Sequence, residues 1–164
     1  MALFAHEADA IAYLDQQKQL AGYGSSVRVW FWNGTGQTIT YLNKKAWEGD
    51  FYEPVEINVP PNNWFAFLHV HQPMLAQGCM GALLYRAPGA DIFFGYTSPW
   101  SGLYRNGTYT EIRQTDGFPD MDAMGNQVSN SGGTYNASAN GHGYNITMET
   151  NNDTSPYLRV VLSN

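Results

Sequence analysis

The chain consists largely of short segments with the residue pattern of β-strands, separated by turn residues at intervals of roughly ten residues. Clear examples are VRVWFW (27–32), WFAFLHVH (64–71) and IFFGYT (92–97), which are bounded by Gly, Asn, Asp, Pro or Ser. Strands at this spacing are typical of β-sandwiches and barrels, whereas βαβ units would need helical segments between them. The pattern therefore predicts an all-β fold. The other predicted strands are 38–42, 55–59, 78–86, 109–114, 143–149 and 157–162.

Only one helix is expected, near the start of the chain. Residues 7–20 place Ala10, Ile11 and Leu14 at helical spacing, and the segment ends at AGYG, a plausible helix stop. Residues 116–142 are rich in Gly, Asn, Ser and Asp, which predicts long loops with at most one strand. A chain of 164 residues fits one domain, so 1–164 is predicted to be a single unit.

The charge of the chain restricts its partners. The formal net charge is -6, and 8 Lys plus Arg residues cannot easily supply the basic surface that nucleic acid binding needs. Strong attraction to anionic lipid is disfavoured for the same reason. A zwitterionic or neutral partner remains open.

The start of the chain, MALFAHEADAIAYLDQQ, lacks the basic region and the long apolar region of a secretory signal. No run approaches the ~20 apolar residues of a membrane-spanning helix. We therefore expect a soluble protein, either cytosolic or released by a non-classical route.

Nucleophilic and metal chemistry find little support. Cys79 lies among apolar neighbours in GCMGALL, which favours a small buried hydrophobe over a catalytic thiol. His69 and His71 are two apart on a predicted strand and so lie on one face, as zinc ligands could. A third ligand is not evident, so a structural or surface pair is favoured and no metal is predicted.

Four carboxylates surround a Pro-containing loop. An acid/base pair of the glycosidase type needs only two well-spaced carboxyl groups, but solvated loop charges are the simpler interpretation. We therefore predict no enzymatic activity, no catalytic residues and no cofactor. The carboxylates are Glu48, Asp50, Glu53 and Glu56.

Large aromatic residues recur in turn-like contexts bounded by Gly or Pro. Trp47 lies in KKAWEGDFYEP with Phe51 and Tyr52, and Trp100 and Tyr104 lie in SPWSGLY; Phe118 lies in DGFPDM. Trp and Tyr favour membrane interfaces, and their ring faces attract quaternary ammonium groups such as choline. If these loops share one end of the fold, they form an aromatic rim. The alternative is that some of the rings fold back onto the core.

Several sequence blocks resemble a known family. WFAFLHVH, GCMGALLYR, SPWS with YTEIRQ, and NDTSPYLRVVL occur in the order found in the family of nakanori and the plant jasmonate-induced proteins. The resemblance covers roughly residues 27–164. Gly78 to Gly81, followed by Ser98–Trp100 and then Tyr104–Asn106, also faintly resembles the actinoporins, which are pore-forming cytolysins.

The resemblance implies an actinoporin-like β-sandwich that recognises sphingomyelin, together with cholesterol in membrane rafts, by peripheral binding to outer membrane leaflets. It implies choline on tyrosine faces and phosphate at the hydroxyls of Ser98 and Tyr104. No protein partner is inferred. The implied headgroup-binding residues are Met80, Ser98, Pro99, Tyr104 and Glu48, and the implied membrane-contacting residues are Trp47, Trp100 and Phe118.

The chain departs from the actinoporin pattern in two places. Phe118, Met121 and Met124 stand where actinoporins have a tyrosine cluster, so that wall of the headgroup site differs from the actinoporin pattern. Residues 1–20 are also shorter and less amphipathic than a pore-forming helix. Binding without pore formation is therefore favoured, with a sugar-binding module of the fungal lectin type and a cytolysin as alternatives.

Overall fold

The computed structural model describes residues 2–22 and 24–164. Their β-strands, numbered along the chain, are β1 (Leu3–Phe4), β2 (Ser26–Gly34), β3 (Thr40–Glu48), β4 (Asp50–Phe51), β5 (Asn63–Val70), β6 (Cys79–Ala87), β7 (Ala90–Ser98), β8 (Gly107–Arg113), β9 (Asn136–Gly141), β10 (Tyr144–Thr150) and β11 (Tyr157–Ser163). The helices are α1 (Glu7–Ala21) and α2 (Gly125–Ser129), and a single 3₁₀ turn covers Met121–Met124.

Within the described ranges the strands form two sheets. The larger has seven strands in the order β1-β5-β2-β11-β10-β9, with β4 also paired to β5. The smaller has the order β3-β6-β7-β8, in which all neighbours are antiparallel. Most neighbours in the larger sheet are antiparallel too, but β2 and β11 run parallel. The predicted all-β fold is confirmed, and the strands belong to a two-sheet sandwich.

The main core lies between the two sheets. Alternate residues of each strand point into it, as the period of two in a pleated strand requires. Phe31 of β2 illustrates the packing, since its ring centre lies 5.2 Å from those of Tyr85 in β6 and Phe94 in β7. All three side chains are buried. Packed aromatic rings from both sheets fix the distance between them and so fix the loops at each end.

Helix α1 covers the outer face of the larger sheet. Ala10 and Leu14 are fully buried against Trp30, Trp64 and Ala66 of the central strands. The predicted helix over 7–20 is confirmed, and it ends at Ala21 as expected. None of the helices in the described ranges combines the length and apolar composition that a bilayer crossing requires.

A second cover lies on the outer face of the smaller sheet. Met121 and Met124 of the 3₁₀ turn and Val128 of α2 pack against Ala82 and Phe93. As a result, all nine residues of β7 are buried. The prediction of loops over 116–142 was therefore wrong for the 3₁₀ turn and α2. The single strand β9 agrees with the prediction of at most one strand in this range. Met121, Met124 and Val128 have the spacing of a helical face, but Gly and Asn between them obscured it.

The segment 55–59 is not a strand, contrary to prediction. Val55 and Val59 are buried, so the alternation did report a buried face. In the described part of the chain, however, only an isolated bridge joins Ile39 to Val59, because β3 takes β6 as its partner. Alternation reports which side chains are covered, and it does not guarantee a neighbouring strand.

Candidate functional site

Two loops lie at the same end of the smaller sheet. The loop over 71–78 leads into β6 and the loop over 99–106 follows β7, and Cys79 at the start of β6 pairs with Ser98 at the end of β7. A Cβ on Gly78 would lie only 2.0 Å from the Ser98 carbonyl oxygen, so the two backbones are in contact. The ring centres of His71 and Trp100 are 6.4 Å apart. We call this region the loop end.

Large apolar side chains are exposed at the loop end. Met74 is 101% exposed, Leu103 is 89% exposed and Tyr104 is 68% exposed, with Trp100 at 54% and Leu75 at 47%. Single exposed apolar residues are normal on protein surfaces, but a group of five on two touching loops indicates an interaction surface. We call these five residues the apolar tip.

A cleft of about 480 Å³ opens beside the apolar tip. Four of the five residues implied for headgroup binding, Glu48, Met80, Pro99 and Tyr104, line this one cleft. Its remaining walls come from the end of β7, the loop after Pro99, and the last residue of α2 with the segment that follows it. These residues are Thr97, Leu103, Arg105, Ser129 and Gly132.

Ser98 does not line the cleft. It is the last residue of β7 and only 2% exposed, and it lies opposite Cys79, a residue of the main core. Side chains alternate along a strand, so Thr97 faces the cleft and Ser98 faces the opposite side. The structure therefore does not bring Ser98 to the cleft with the other implied headgroup residues, because β7 continues through a segment that has the sequence of a turn. Thr97 supplies the hydroxyl instead.

The cleft contains two charged side chains that form no ion pair in the described part of the chain. Of the 8 Lys and Arg residues, six form ion pairs in the described part of the chain, and Lys18 donates to the Gly24 carbonyl at 2.5 Å. Arg105 is the one cation among the described residues with neither an ion pair nor a side-chain hydrogen bond, and Glu48 across the cleft is likewise unpaired. Both charges are therefore available to a ligand. The six paired cations are Arg28, Lys44, Lys45, Arg86, Arg113 and Arg159.

A buried histidine supports the cleft from below. His69 is fully buried, with Nε2 2.7 Å from the Glu48 carbonyl oxygen and Nδ1 2.7 Å from the Tyr96 hydroxyl. A carbonyl oxygen only accepts, so Nε2 carries the proton and Nδ1 accepts from Tyr96. Burial lowers the pKa of His69 to about 4, so the ring is neutral at physiological pH. The hydrogen bond holds the end of β3 and thereby the position of Glu48.

Glycines make room for that ring. A Cβ on Gly81 would lie 2.8 Å from the His69 ring, and one on Gly49 would lie 2.9 Å from it. Gly49 also has a φ of 74°, which favours glycine. His69 is thus a structural histidine, and His71 lies apart from it on the loop end. Among residues 2–22 and 24–164, no group of three or more His, Cys, Asp or Glu side chains is arranged to hold a metal ion.

Cys79 is buried as the sequence indicates. Its Sγ lies 3.6 Å from the His69 carbonyl oxygen, and burial raises the pKa of the thiol to about 12. A thiol with such a pKa is neither ionised nor accessible at physiological pH.

Trp47 is not a loop residue. It lies within β3, is half-buried, and packs against the cluster that includes Met121 and Met124. A Cβ on Gly125 at the start of α2 would lie 3.2 Å from its Nε1 atom. The side chain is therefore beneath the second cover and does not join the apolar tip, although its neighbour Glu48 lines the cleft.

Phe118 lies still farther away. Its ring stacks on Phe93 at 5.8 Å between centres, and the Arg113 guanidinium lies 4.7 Å from its centre. Phe93 is five residues from the end of β7, which corresponds to roughly 16 Å along the strand. The structure therefore does not bring Phe118 together with Trp100, because the apolar outer face of the smaller sheet gives Phe118 a nearer partner.

The remaining carboxylates have local partners. Glu53 accepts a hydrogen bond from the Tyr13 hydroxyl, Glu56 pairs with Lys44, and Asp50 accepts from Gln72 at 3.2 Å. These interactions account for three of the four carboxylates near the Pro-containing loop.

Sequence comparison places the chain in a family. The family model for Nakanori-like proteins matches residues 2–164. The chain belongs to the Nakanori-like family. Another relative is the 23 kDa jasmonate-induced protein of Hordeum vulgare, which is 33% identical over 122 residues, or 70% of this chain. The aligned part is 57% of the barley protein, so the chain spans little more than half the length of that relative.

Solved structures agree with this membership in the Nakanori-like family. The crystal structure of the lipid-binding protein Nakanori superposes with a TM-score of 0.88 at 25% identity, covering 97% of this chain and 81% of that one. The Xerocomus chrysenteron lectin XCL has a TM-score of 0.59 at 13% identity, covering 86% and 100%. The lectin shares the fold, and at this identity the likeness extends no further.

Sequence reasoning missed several residues at the site. Met74 and Leu75 follow a proline in QPMLAQG and carry no aromatic signal, and Leu103 is a single apolar residue in a turn. No local motif singles out Arg105, because its availability depends on the ion pairs and hydrogen bonds that the other Lys and Arg residues form. The role of Thr97 was predictable from the sequence. If the strand continues through Thr97 and Ser98, their side chains point to opposite faces of the sheet.

Proposed function

We propose that residues 1–164 act as one peripheral lipid-binding domain, without catalytic activity, that binds the phosphocholine headgroup of sphingomyelin in outer membrane leaflets. The observation that carries the proposal is the apolar tip beside a cleft with polar and charged walls. A membrane surface presents the same two environments, since apolar chains lie directly below a polar headgroup layer.

The apolar tip provides the attraction to the bilayer. Met74 and Leu103 are almost fully exposed and would transfer apolar surface out of water at about 25 cal/mol per Å². Trp100 and Tyr104 suit the interface itself, where the ring is apolar on one side and meets water at its polar edge. The net charge of -6 agrees with a zwitterionic surface, because such a surface neither attracts nor repels the domain strongly.

The cleft provides recognition of the headgroup. The exposed ring of Tyr104 at its mouth can cover a quaternary ammonium group, which contributes about 0.5–2 kcal/mol. Met80 and Pro99 offer apolar contacts to the methyl groups, and the hydroxyls of Thr97 and Tyr104 can donate to phosphate oxygens. Membership in the Nakanori-like family supports a lipid ligand, since Nakanori is a lipid-binding protein. Sphingomyelin together with cholesterol is the ligand that we propose.

The position of α1 supports binding without pore formation. Ala10 and Leu14, the apolar residues that a membrane-inserting helix would present, are buried on Trp30, Trp64 and Ala66. Glu7 at the start of α1 also accepts hydrogen bonds from Trp30, at 2.9 Å, and from Arg159, at 2.5 Å. Release of α1 would expose this cluster to water.

Vesicle binding tests the proposal. Vesicles of sphingomyelin plus cholesterol are compared with vesicles of phosphatidylcholine plus cholesterol and of sphingomyelin alone, by sedimentation, with an encapsulated dye in each. We expect binding to sphingomyelin plus cholesterol without dye release. Absence of binding to all three compositions would refute the lipid function, equal binding to the first two would refute the sphingomyelin preference, and dye release would favour a cytolysin.

A further inference from the structure

The cleft has an acidic residue on one side and a basic residue on the other, and these two charges can orient a zwitterionic ligand. We propose that Arg105 binds the phosphate and Glu48 the ammonium group of one zwitterionic headgroup, so that the two residues together determine specificity for a phosphodiester that carries a cationic group. This inference rests on the proposed function and assigns the two charges of that same site.

The floor of the cleft is one row of residues across the smaller sheet. Glu48 in β3 lies opposite Met80 in β6, Met80 lies opposite Thr97 in β7, and Thr97 lies opposite Gly107 in β8. Arg105 precedes Gly107 by two residues. The apolar and hydroxyl groups of the floor therefore lie between an acidic wall and a basic wall.

The backbones that carry the acidic and the basic wall lie on opposite sides of the smaller sheet. β3 and β8 are the outer strands of the smaller sheet, three strand spacings apart, or roughly 14 Å between backbones. Glu48 and Arg105 line the cleft from these two sides. In the described part of the chain they form no ion pair, so each retains its charge for a ligand that lies between them.

The Arg105 wall is fixed at its base. Asn106, the next residue, is 5% exposed and donates through Nδ2 to the Asn151 and Asp153 carbonyl oxygens at 2.9 and 2.8 Å. Its own carbonyl accepts from the backbone of Gly133 at 2.9 Å. A cation on an anchored backbone loses less conformational entropy when it binds, which favours affinity.

The Glu48 wall is fixed as well. The Glu48 carbonyl oxygen accepts the His69 hydrogen bond, and the following residue, Gly49, packs so tightly that a Cβ would lie 2.4 Å from the Val70 carbonyl oxygen. The backbone from which the carboxylate projects is therefore fixed. A carboxylate at this position attracts an ammonium group and repels a lipid whose headgroup is only anionic.

The distribution of the other charges explains why Arg105 matters. Arg28, Lys44, Lys45, Arg86, Arg113 and Arg159 are all neutralised locally by carboxylates. Among the described residues, a phosphate that approaches the domain therefore finds one uncompensated guanidinium, that of Arg105, which lines the cleft. Guanidinium groups bind phosphate oxygens through two parallel N–H donors, which a lysine cannot reproduce.

The test compares Arg105→Ala, Arg105→Lys and Glu48→Gln with the wild type, and uses Arg28→Ala as the matched control. Arg28 pairs with Asp15 at 2.8 Å, so its replacement removes one positive charge away from the cleft. The probes are cholesterol-containing vesicles of sphingomyelin, of phosphatidylglycerol, and of a lipid with phosphate and choline in inverted order. Free phosphocholine and free choline are titrated separately by NMR, and circular dichroism checks that each variant folds.

We expect Arg105→Ala to weaken binding to sphingomyelin vesicles at least tenfold, Arg105→Lys to restore part of the loss, and Arg28→Ala to stay within twofold of wild type. Glu48→Gln should weaken sphingomyelin binding severalfold while it raises binding to phosphatidylglycerol. The wild type should bind phosphocholine more tightly than choline and discriminate against the inverted lipid.

Two outcomes would overturn the inference. If the folded Arg105→Ala variant binds sphingomyelin vesicles as the wild type does, Arg105 is not part of the site. If the normal and inverted lipids bind equally, the cleft does not distinguish the order of phosphate and ammonium in the headgroup. Failure of the wild type on every vesicle would refute the proposed function instead, and the free phosphocholine titration would then decide the charge assignment alone.

Discussion

Two pairs of aromatic residues look alike in the sequence and occupy different places in the structure. Trp100 and Tyr104 are exposed at the loop end, whereas Trp47 and Phe118 are half-buried against the outer face of the smaller sheet. All four stand near Gly or Pro in turn-like segments. The difference arises because the 3₁₀ turn and α2 cover one pair and nothing in the described residues covers the other. An aromatic residue near a turn marks an interaction surface only where no other segment packs over it.

The largest expected effect concerns the exposed pair. Replacing Trp100 and Leu103 together by Ala should cost about 3 kcal/mol of membrane affinity, or roughly a hundredfold in the partition coefficient, because two large apolar groups no longer leave water. The midpoint of urea unfolding should not change. Partition is measured by vesicle sedimentation, and a double variant that retains full binding would show that the exposed rings have no role in it.

Acidification should destabilise the fold through the buried His69. The folded-state pKa of His69 is about 4 because of burial, and the unfolded value is about 6.5. The unfolded chain therefore takes up the proton first, so this contribution to stability is complete above pH 6.5 and decreases as the pH falls towards 4. Between pH 7.5 and 5 the free energy of unfolding should fall by about 2 kcal/mol.

The control for this pH dependence is His69→Gln, which keeps a side chain able to hydrogen bond but removes the titration. Its unfolding free energy, measured by urea denaturation across the same range, should vary less with pH than that of the wild type. Identical slopes for the two proteins would contradict the burial of a neutral imidazole.

Replacement of Phe118 should give the opposite result to that at the loop end. Phe118→Ala removes the stack on Phe93 and the contact with Arg113, which should lower the free energy of unfolding by about 1.5 kcal/mol. Vesicle binding of the folded variant should stay within twofold of wild type. Lost binding with unchanged thermal stability would return Phe118 to the membrane-contacting set and remove the contrast between the two pairs.

The smallest effect is expected from the loop that sequence reasoning overlooked. Met74→Ser should reduce vesicle partition about threefold, since one flexible apolar side chain contributes less than two large groups. The matched control is Leu20→Ser, an exposed apolar residue on α1, which should have no measurable effect. Equal losses in both variants would mean that exposed apolar surface acts without regard to its location.

Much of the fold was predictable from local pattern. The helix over 7–20 and most strands follow from residue periodicity, since each buries a face of known period. The failures share a cause. Segment 55–59 has the alternating pattern of a strand but forms no continuous hydrogen-bonded ladder with a neighbour. Gly and Asn in α2 obscured its helical pattern. In both cases strand pairing and coverage depend on residues far away in the chain.

The candidate site was predictable in part for the same reason. Met80, Pro99, Tyr104 and Glu48 line one cleft, as the family resemblance implied. Ser98 and Phe118 lie outside that cleft, because their positions depend on where β7 ends and on what covers the smaller sheet. The availability of Arg105 is a property of the whole charge distribution, and no local motif encodes it.

The burial of Cys79 has a practical consequence for measuring insertion depth. The native thiol is fully buried and its pKa is raised to about 12, so maleimide and nitroxide reagents should leave it unmodified in the folded protein. A cysteine introduced by Leu103→Cys or Met74→Cys would then be the only reactive thiol. Spin or fluorescence labels at these two positions, read against quenchers at known bilayer depths, would report how far each loop enters the lipid.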